Sequence, residues 1–162
     1  MVEFNWLRPL ARWVGRQRWI RFGLRDRFAR LVENPDLTRG NVFRQPFFGG
    51  VYEGETSNYI DCSARYLGAY SIEELELFAD VYSYSAPHGG AVIDVGANVG
   101  NHSLFYALKG ANVLSIEPNP LAVNLLKRKL AANPFLEVGV IEKALSDKEG
   151  SLNLSLPDCA NL

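Results

Sequence analysis

The sequence predicts an α/β fold, a parallel sheet with flanking helices, preceded by a helical arm and short strands. Three observations carry this. From residue 91 onward, strand-like and helix-like segments alternate. The strand-like run AVIDV is short and continuously apolar, as expected where a strand is buried on both faces. The intervening segments carry helix end signals, so each strand reaches the next by a helical, right-handed crossover. A chain of 162 residues, 48% hydrophobic and 22% charged, suits about one globular domain.

The first part, residues 1–40, reads as a basic aromatic arm. Residues 1–33 hold eight arginines against Glu3, Asp26 and Glu33, a net +5 that leaves −6 on the rest of a chain of net charge −1. Trp6, Trp13, Trp19, Phe22 and Phe28 lie among those arginines. Such an arm suits a docking helix that packs its aromatics on the body. It also suits an amphipathic helix making weak contact with an anionic membrane surface. The acidic body argues against nucleic acid as a partner. The opening MVEFNWLRPLARW lacks the apolar core of a secretory signal, and no run of eighteen apolar residues predicts a membrane span. The expected location is cytoplasmic, with peripheral attachment at the inner membrane face left open. Within the arm, LRDRFARLVE has helical spacing that puts Leu24, Phe28 and Leu31 on one face, and Asn34-Pro35 ends it.

Residues 41–90 form a pre-core region. NVFRQPFFGGVYEGETSNYID reads as short strands with glycine turns. SIEELELFADVY predicts a helix with Leu75, Phe78, Ala79 and Tyr82 in one stripe, opened by a capping box between Ser71 and Glu74. The core follows over residues 91–162. After AVIDV comes the helix HSLFYALKG, closed by Gly110. NVLSIE is the second strand. NPLAVNLLKRKLAAN is the second helix, with Asn119 at its N-cap and Pro120 at its first position. Leu121, Leu125 and Leu126 are expected to face the sheet, and Lys127, Arg128 and Lys129 to form a solvated tail. LEVGVIE is the third strand, and SLNLSLP reads as a half-exposed strand after the turn DKEG. Cys62 and Cys159 have no metal-like spacing and read as free thiols in a reducing compartment; His88 and His102 lie near no cysteine, so no metal site is expected.

The chemistry centres on VIDVGANVGN. In a parallel sheet, ligands bind beyond the carboxyl ends of the strands. Gly96 and Gly100 permit a sharp turn close to a ligand, and the helix from Asn101 offers free amides. A dinucleotide fingerprint would need glycine where Asn98 and Asn101 stand, which disfavours a nicotinamide-dependent oxidoreductase. S-adenosyl-L-methionine fits better. Its zwitterionic, sulfonium-bearing end suits an acid, Asp94, beside the loop. Its ribose hydroxyls suit a carboxylate at the end of the next strand, where Glu117 stands.

VIDVGANVGNHSLFYA, VLSIEPNPLAVNLLKRKLAAN and KALSDKEGSLNL, taken in order, resemble the FkbM family of S-adenosylmethionine-dependent methyltransferases. YLGAYSIEELELF resembles the family's pre-core helix region. The resemblance spans roughly residues 42–162 and implies a Rossmann-like class I methyltransferase fold. It implies O-methyl transfer to a hydroxyl of a sugar, glycolipid or natural product, so the implied partner is a small-molecule or glycan acceptor. By position it places Asp94, Gly96 and Asn98 along the methionine end, counts Ala97 and Gly100 among the cofactor-binding residues, and puts Glu117 on the ribose with Pro118 and Asn119 beside it. Ala144 and Leu145 would lie against the adenine. His102 and Ser103 begin the first core helix, where a histidine is ordinarily a surface residue.

The implied fold has seven strands, and the family's later I-D-x-E-G block is absent. The expectation is therefore the N-terminal part of a longer enzyme, incomplete at the C-terminus, inactive by itself and with its catalytic base elsewhere. The competing readings are a peripheral membrane or scaffold piece acting through the arm, and the nicotinamide-dependent oxidoreductase.

Overall fold

The computed structural model describes residues 5–37, 40–86, 88–151 and 153–154, with Asn5 through its backbone alone. A 3₁₀ turn at Asn5–Leu7 leads into α1 (Arg8–Gly15) and α2 (Phe22–Val32). A hairpin of β1 (Val42–Phe47) and β2 (Gly50–Glu55) follows, then α3 (Tyr59–Leu67) and α4 (Ile72–Ser85). The remainder alternates β3 (Ala91–Val95), α5 (Asn101–Leu108), β4 (Asn112–Ile116), α6 (Pro120–Ala131) and β5 (Val138–Ile141). These three strands form a parallel sheet in the order β3-β4-β5, with Val95 opposite Ile116 and Ile116 opposite Ile141. All three therefore end at one level, and the loops beyond that level build the site.

Both crossovers step the same way along the sheet, so right-handed connections put α5 and α6 on one face. That corrects the expectation of a doubly buried first strand. Ile93 is 63% and Val95 58% exposed, because the described residues place no layer on the second face. The strand expected over SLNLSLP is not formed at residues 151, 153 or 154, and its remaining residues lie outside the described ones, as does Cys159.

The hairpin turns through Phe48 and Gly49, both at positive φ (45° and 96°), the backbone sense that two-residue hairpins prefer. Phe48 is held there by edge contacts with Phe47 and Phe105, at centroid distances of 4.7 and 4.8 Å. Phe47, Tyr52, Leu75, Leu104 and Phe105 make one core cluster that joins the hairpin to α4 and α5. A second joins α1, α2 and α3 through Ala11, Ala29, Cys62, Tyr66 and Leu67.

Several helix faces differ from expectation. On α2 the buried residues are Arg25 and Ala29, while Leu24 and Leu31 are exposed. The helix approaches its neighbours through small Ala29, and Arg25 is accommodated by donating from Nη1 to the carbonyl of Gly15 at 2.9 Å. Trp6, Trp13, Trp19 and Phe22 are likewise exposed, so the arm docks without burying those aromatics. On α4 the expected stripe packs inward, but Ser71 has φ 49° and makes no side-chain cap; its carbonyl accepts from the amides of Glu74 and Leu75. On α6, Asn119 caps as expected, accepting from Leu121 N at 3.0 Å. Leu121, however, is exposed, whereas Lys129 is fully buried, its Nζ 2.9 Å from Asp61 Oδ1. The basic tail is not solvated as a unit because α6 packs on β2: Arg128 donates to Glu53 at 3.0 Å, and Lys127 alone reaches outward, to Glu142. Asn133 braces the same junction through the amide (2.8 Å) and carbonyl (2.7 Å) of Val51.

Candidate functional site

Beyond β3 the backbone turns through Gly96 (φ 74°), Asn98 (φ 48°) and Gly100 (φ 81°). Left-handed conformation at three alternate positions folds the loop tightly back before α5 begins. The two glycines serve differently. A Cβ on Gly96 would meet nothing within 4 Å, so that position faces open space. A Cβ on Gly100 would lie 2.8 Å from Leu126 Cγ, so this glycine lets α6 close on the loop. The amides of Gly96 and Ala97 both donate to Ile116 O, at 2.9 and 3.1 Å, which stitches the loop to the end of β4.

Glu117 stands directly after β4 and is 8% exposed. Its Oε2 accepts from the amide of Asn98 and its Oε1 from the amide of Asn119, each at 2.8 Å. One carboxylate thus joins the glycine loop to the N-terminus of α6. Each oxygen keeps further lone-pair capacity, so the group is oriented while still able to accept two hydroxyls side by side. Asp94 accepts from Ser103 Oγ at 2.5 Å, and Ser103 Oγ accepts in turn from Ser115 Oγ at 2.7 Å. Both serines are fully buried. This relay fixes the Asp94 carboxylate from the α5 side, with Ser115 of β4 behind it.

Two acceptors remain orphaned. Asn98 Oδ1 and Asn101 Oδ1 are buried and have no hydrogen-bond partner among the described residues. Asn101 is held through its Nδ2, which donates to Tyr70 O at 3.3 Å. An unpartnered buried acceptor is costly unless a ligand supplies a donor. An ammonium-bearing, ribose-bearing cofactor supplies such donors, so the residues present fit S-adenosyl-L-methionine.

The structure brings together Asp94, Gly96, Ala97, Asn98, Gly100, Glu117 and Asn119, with Pro118 half-buried beside them. It leaves Ala144 and Leu145 exposed beyond β5, with no hydrogen bond to the loop. His102 is half-buried, its Nε2 3.9 Å from Glu74 Oε2 and its ring 6.3 Å from that of Phe78. Sequence reasoning passed over the Ser103–Ser115 relay. Its signal was a hydroxyl set among the apolar residues Val113, Leu114 and Ile116 of β4. Burial pushes the nearby Tyr106 phenol up, with Asp94 and Glu74 adding to it, so Tyr106 stays neutral at physiological pH.

A parallel sheet with a glycine loop after its first strand and an acid after its second defines a Rossmann-like, class I methyltransferase fold. Known proteins resemble the chain in part. The chain is 35% identical over 86 residues to methyltransferase sdnD of Sordaria araneosa, covering 49% of this chain and 33% of that protein. A SAM-dependent methyltransferase from Agrobacterium tumefaciens superposes with a TM-score of 0.50 at 18% identity, over 68% of this chain and 34% of the other. A Pyrococcus abyssi tRNA (uracil-54, C5)-methyltransferase, solved with S-adenosyl-L-homocysteine, aligns at TM-score 0.49 and 18% identity, over 68% and 25%. The chain thus spans about a third of the length of the relatives it first matches. No protein-family profile matches it.

Proposed function

We propose that the chain carries the cofactor half-site of an S-adenosyl-L-methionine-dependent methyltransferase. We place it with the FkbM-like enzymes, which would direct O-methyl transfer to a hydroxyl of a sugar, glycolipid or natural product. The observation that carries this is the Glu117 carboxylate, held by two loop amides at the end of β4 beside the open Cα face of Gly96. The sdnD match supports methyl transfer in general, and the FkbM-like motifs support the acceptor class.

When bound, the cofactor supplies an electrophilic methyl group on its sulfonium. The chain's own part is to hold and orient. Glu117 would accept the ribose hydroxyls, and Asn119 would keep that carboxylate aimed by donating its amide. Asp94, fixed by Ser103, and the orphaned Asn98 Oδ1 would receive the cationic methionine end. The acceptor hydroxyl would attack in line, and none of the described residues is assigned as its base.

Calorimetric titration of S-adenosyl-L-homocysteine tests the reading. Glu117→Ala removes charge-assisted hydrogen bonds of about 1.5–3 kcal/mol each. Affinity should therefore fall at least about tenfold, which corresponds to about 1.4 kcal/mol. Equal affinity in wild type and variant, or binding of NADH in its place, would overturn it.

A further inference from the structure

We infer that α1 and the turn after it form a docking surface for an anionic membrane, independent of the cofactor site. The helix is oriented with its bulky side chains outward. Its buried face is Ala11 and Gly15, and a Cβ on Gly15 would lie 2.3 Å from Tyr66 O, so small residues there let α1 lie close against α3. The opposite side carries Pro9, Leu10 and Trp13, at the i, i+1, i+4 spacing of one helical face, preceded by Trp6. Trp6 is 75%, Trp13 60% and Trp19 80% exposed, with Leu10 and Phe22 exposed beside them in the chain. A helix that hides alanine and glycine while presenting tryptophan buries its best apolar surface only against an external partner.

Charge identifies that partner. Arg12, Arg16, Arg21 and Arg27 are exposed. Arg12, Arg21 and Arg27 make no ion pair among the described residues, and Arg16 reaches only the neutral Gln45, at 3.5 Å. Most described acids nearby are engaged: Asp26 by Arg30, Glu33 by Arg8 in the interior, and Glu76 by Arg18 through two bonds of 2.6 and 2.9 Å; exposed Glu73, near Phe22 and Arg18, makes no ion pair among the described residues. The surface is therefore aromatic and, with Glu73 set against the unpaired arginines, cationic on balance. Tryptophan favours the headgroup region of a bilayer, and unpaired arginine favours anionic headgroups. Among the described residues no helix is long and apolar enough to cross a membrane, so the contact lies in the interface plane.

The test uses the full 162-residue chain and vesicles of phosphatidylcholine with or without phosphatidylglycerol. Co-flotation is expected with the anionic vesicles and not with the neutral ones. It should weaken as salt rises and be accompanied by a blue shift of tryptophan emission. Trp6→Ala/Trp13→Ala should lower partitioning about tenfold while leaving the circular dichroism unchanged. Arg12→Gln/Arg21→Gln should reduce it and flatten the salt dependence. Three results would overturn the inference: no flotation of the wild type, equal flotation on neutral vesicles, or a concentration-dependent self-association lost in the tryptophan variant. The last would show that a second copy of this chain covers the face.

Discussion

Replacing Glu33 should loosen the N-terminal helices from the rest of the chain. Its side chain is fully buried, and four donors converge on it. Oε1 accepts from Thr56 Oγ1 at 2.7 Å, Asn41 Nδ2 at 2.9 Å and Arg8 Nη2 at 3.2 Å, and Oε2 accepts from Tyr66 OH at 2.6 Å. Arg65 Nε stands 4.0 Å from Oε2. The carboxylate thus ties α1 to the hairpin and to α3. Glu33→Ala strands two arginines and three neutral donors around a void. Removing one partner of a buried ion pair costs about 3–5 kcal/mol. That is a large fraction of the ~5–15 kcal/mol that holds a domain together. The group also leaves a mark in pH. Burial alone would push its carboxyl up, but the hydrogen bonds from Tyr66, Asn41 and Thr56 and the charge of Arg65 outweigh it and hold it below the usual range. As pH falls, the unfolded chain takes up this proton first. Its stabilisation is therefore complete above the ordinary glutamate value of about 4.3, and is lost as pH falls through the lower folded value. Urea unfolding followed by circular dichroism, at neutral pH and in acid steps, reads both effects. Glu33→Gln should be less stable at neutral pH and decline less steeply in acid. A Glu33→Ala protein within about 1 kcal/mol of wild type, or a glutamine variant with an unchanged acid slope, would refute the reasoning.

Both loop glycines are strained by any substitution at positive φ, but only Gly100 is also crowded. Gly100→Ala places a methyl group against Leu126 at positive φ, so thermal denaturation should show a loss of about 1–3 kcal/mol from overpacking beyond the conformational cost. Gly96→Val should lose S-adenosyl-L-homocysteine binding in calorimetry, because its side chain projects into the open space beside the loop, and should also lose some thermal stability from a β-branched residue at positive φ; a variant that binds normally would reduce Gly96 to a turn former. Burial, with Glu33 adding to it, pushes the Cys62 thiol up to about 12. Iodoacetamide at neutral pH should leave the Cys62 peptide unmodified in the native protein and alkylate it in urea, as read by mass spectrometry; native labelling would contradict the burial.

What could be read in the sequence was what depends on local chemistry. The alternation from residue 91, the Asn119 cap and the GANVG turn are written in adjacent residues, and each forms where expected. The period of a helix says which residues share a face; it does not say which face is buried. For α1 and α2 the answer turned on Ala11, Gly15 and Ala29, small residues that admit close packing and leave larger neighbours outside. At Ser71 the cap is supplied by the backbone, so the side-chain pattern named the right residue for the wrong reason. Of the candidate site, the placing of Asp94, the loop and Glu117 side by side was legible. Its supports were not, because Ser103 meets Ser115, and Asn101 meets Tyr70, only once the sheet and α4 are in place.

The buried pair of Asp61 and Lys129 bears on the order in which the chain is made. Among the contacts that tie the hairpin and α3 to α6 are this pair, Asn133 to Val51, and Arg128 to Glu53, the last two between residues 82 and 75 positions apart. A ribosome delivers Asp61 long before its counterion. Tyr52 OH and the amide of Glu55 meet that carboxylate early, at 2.8 Å each, but neither carries the opposite charge. Closing a dry interior around it then would cost several kcal/mol. The first-made half therefore has reason to stay hydrated until α6 emerges. On that reasoning, the hairpin side would dry only when the segment carrying Lys129 arrives.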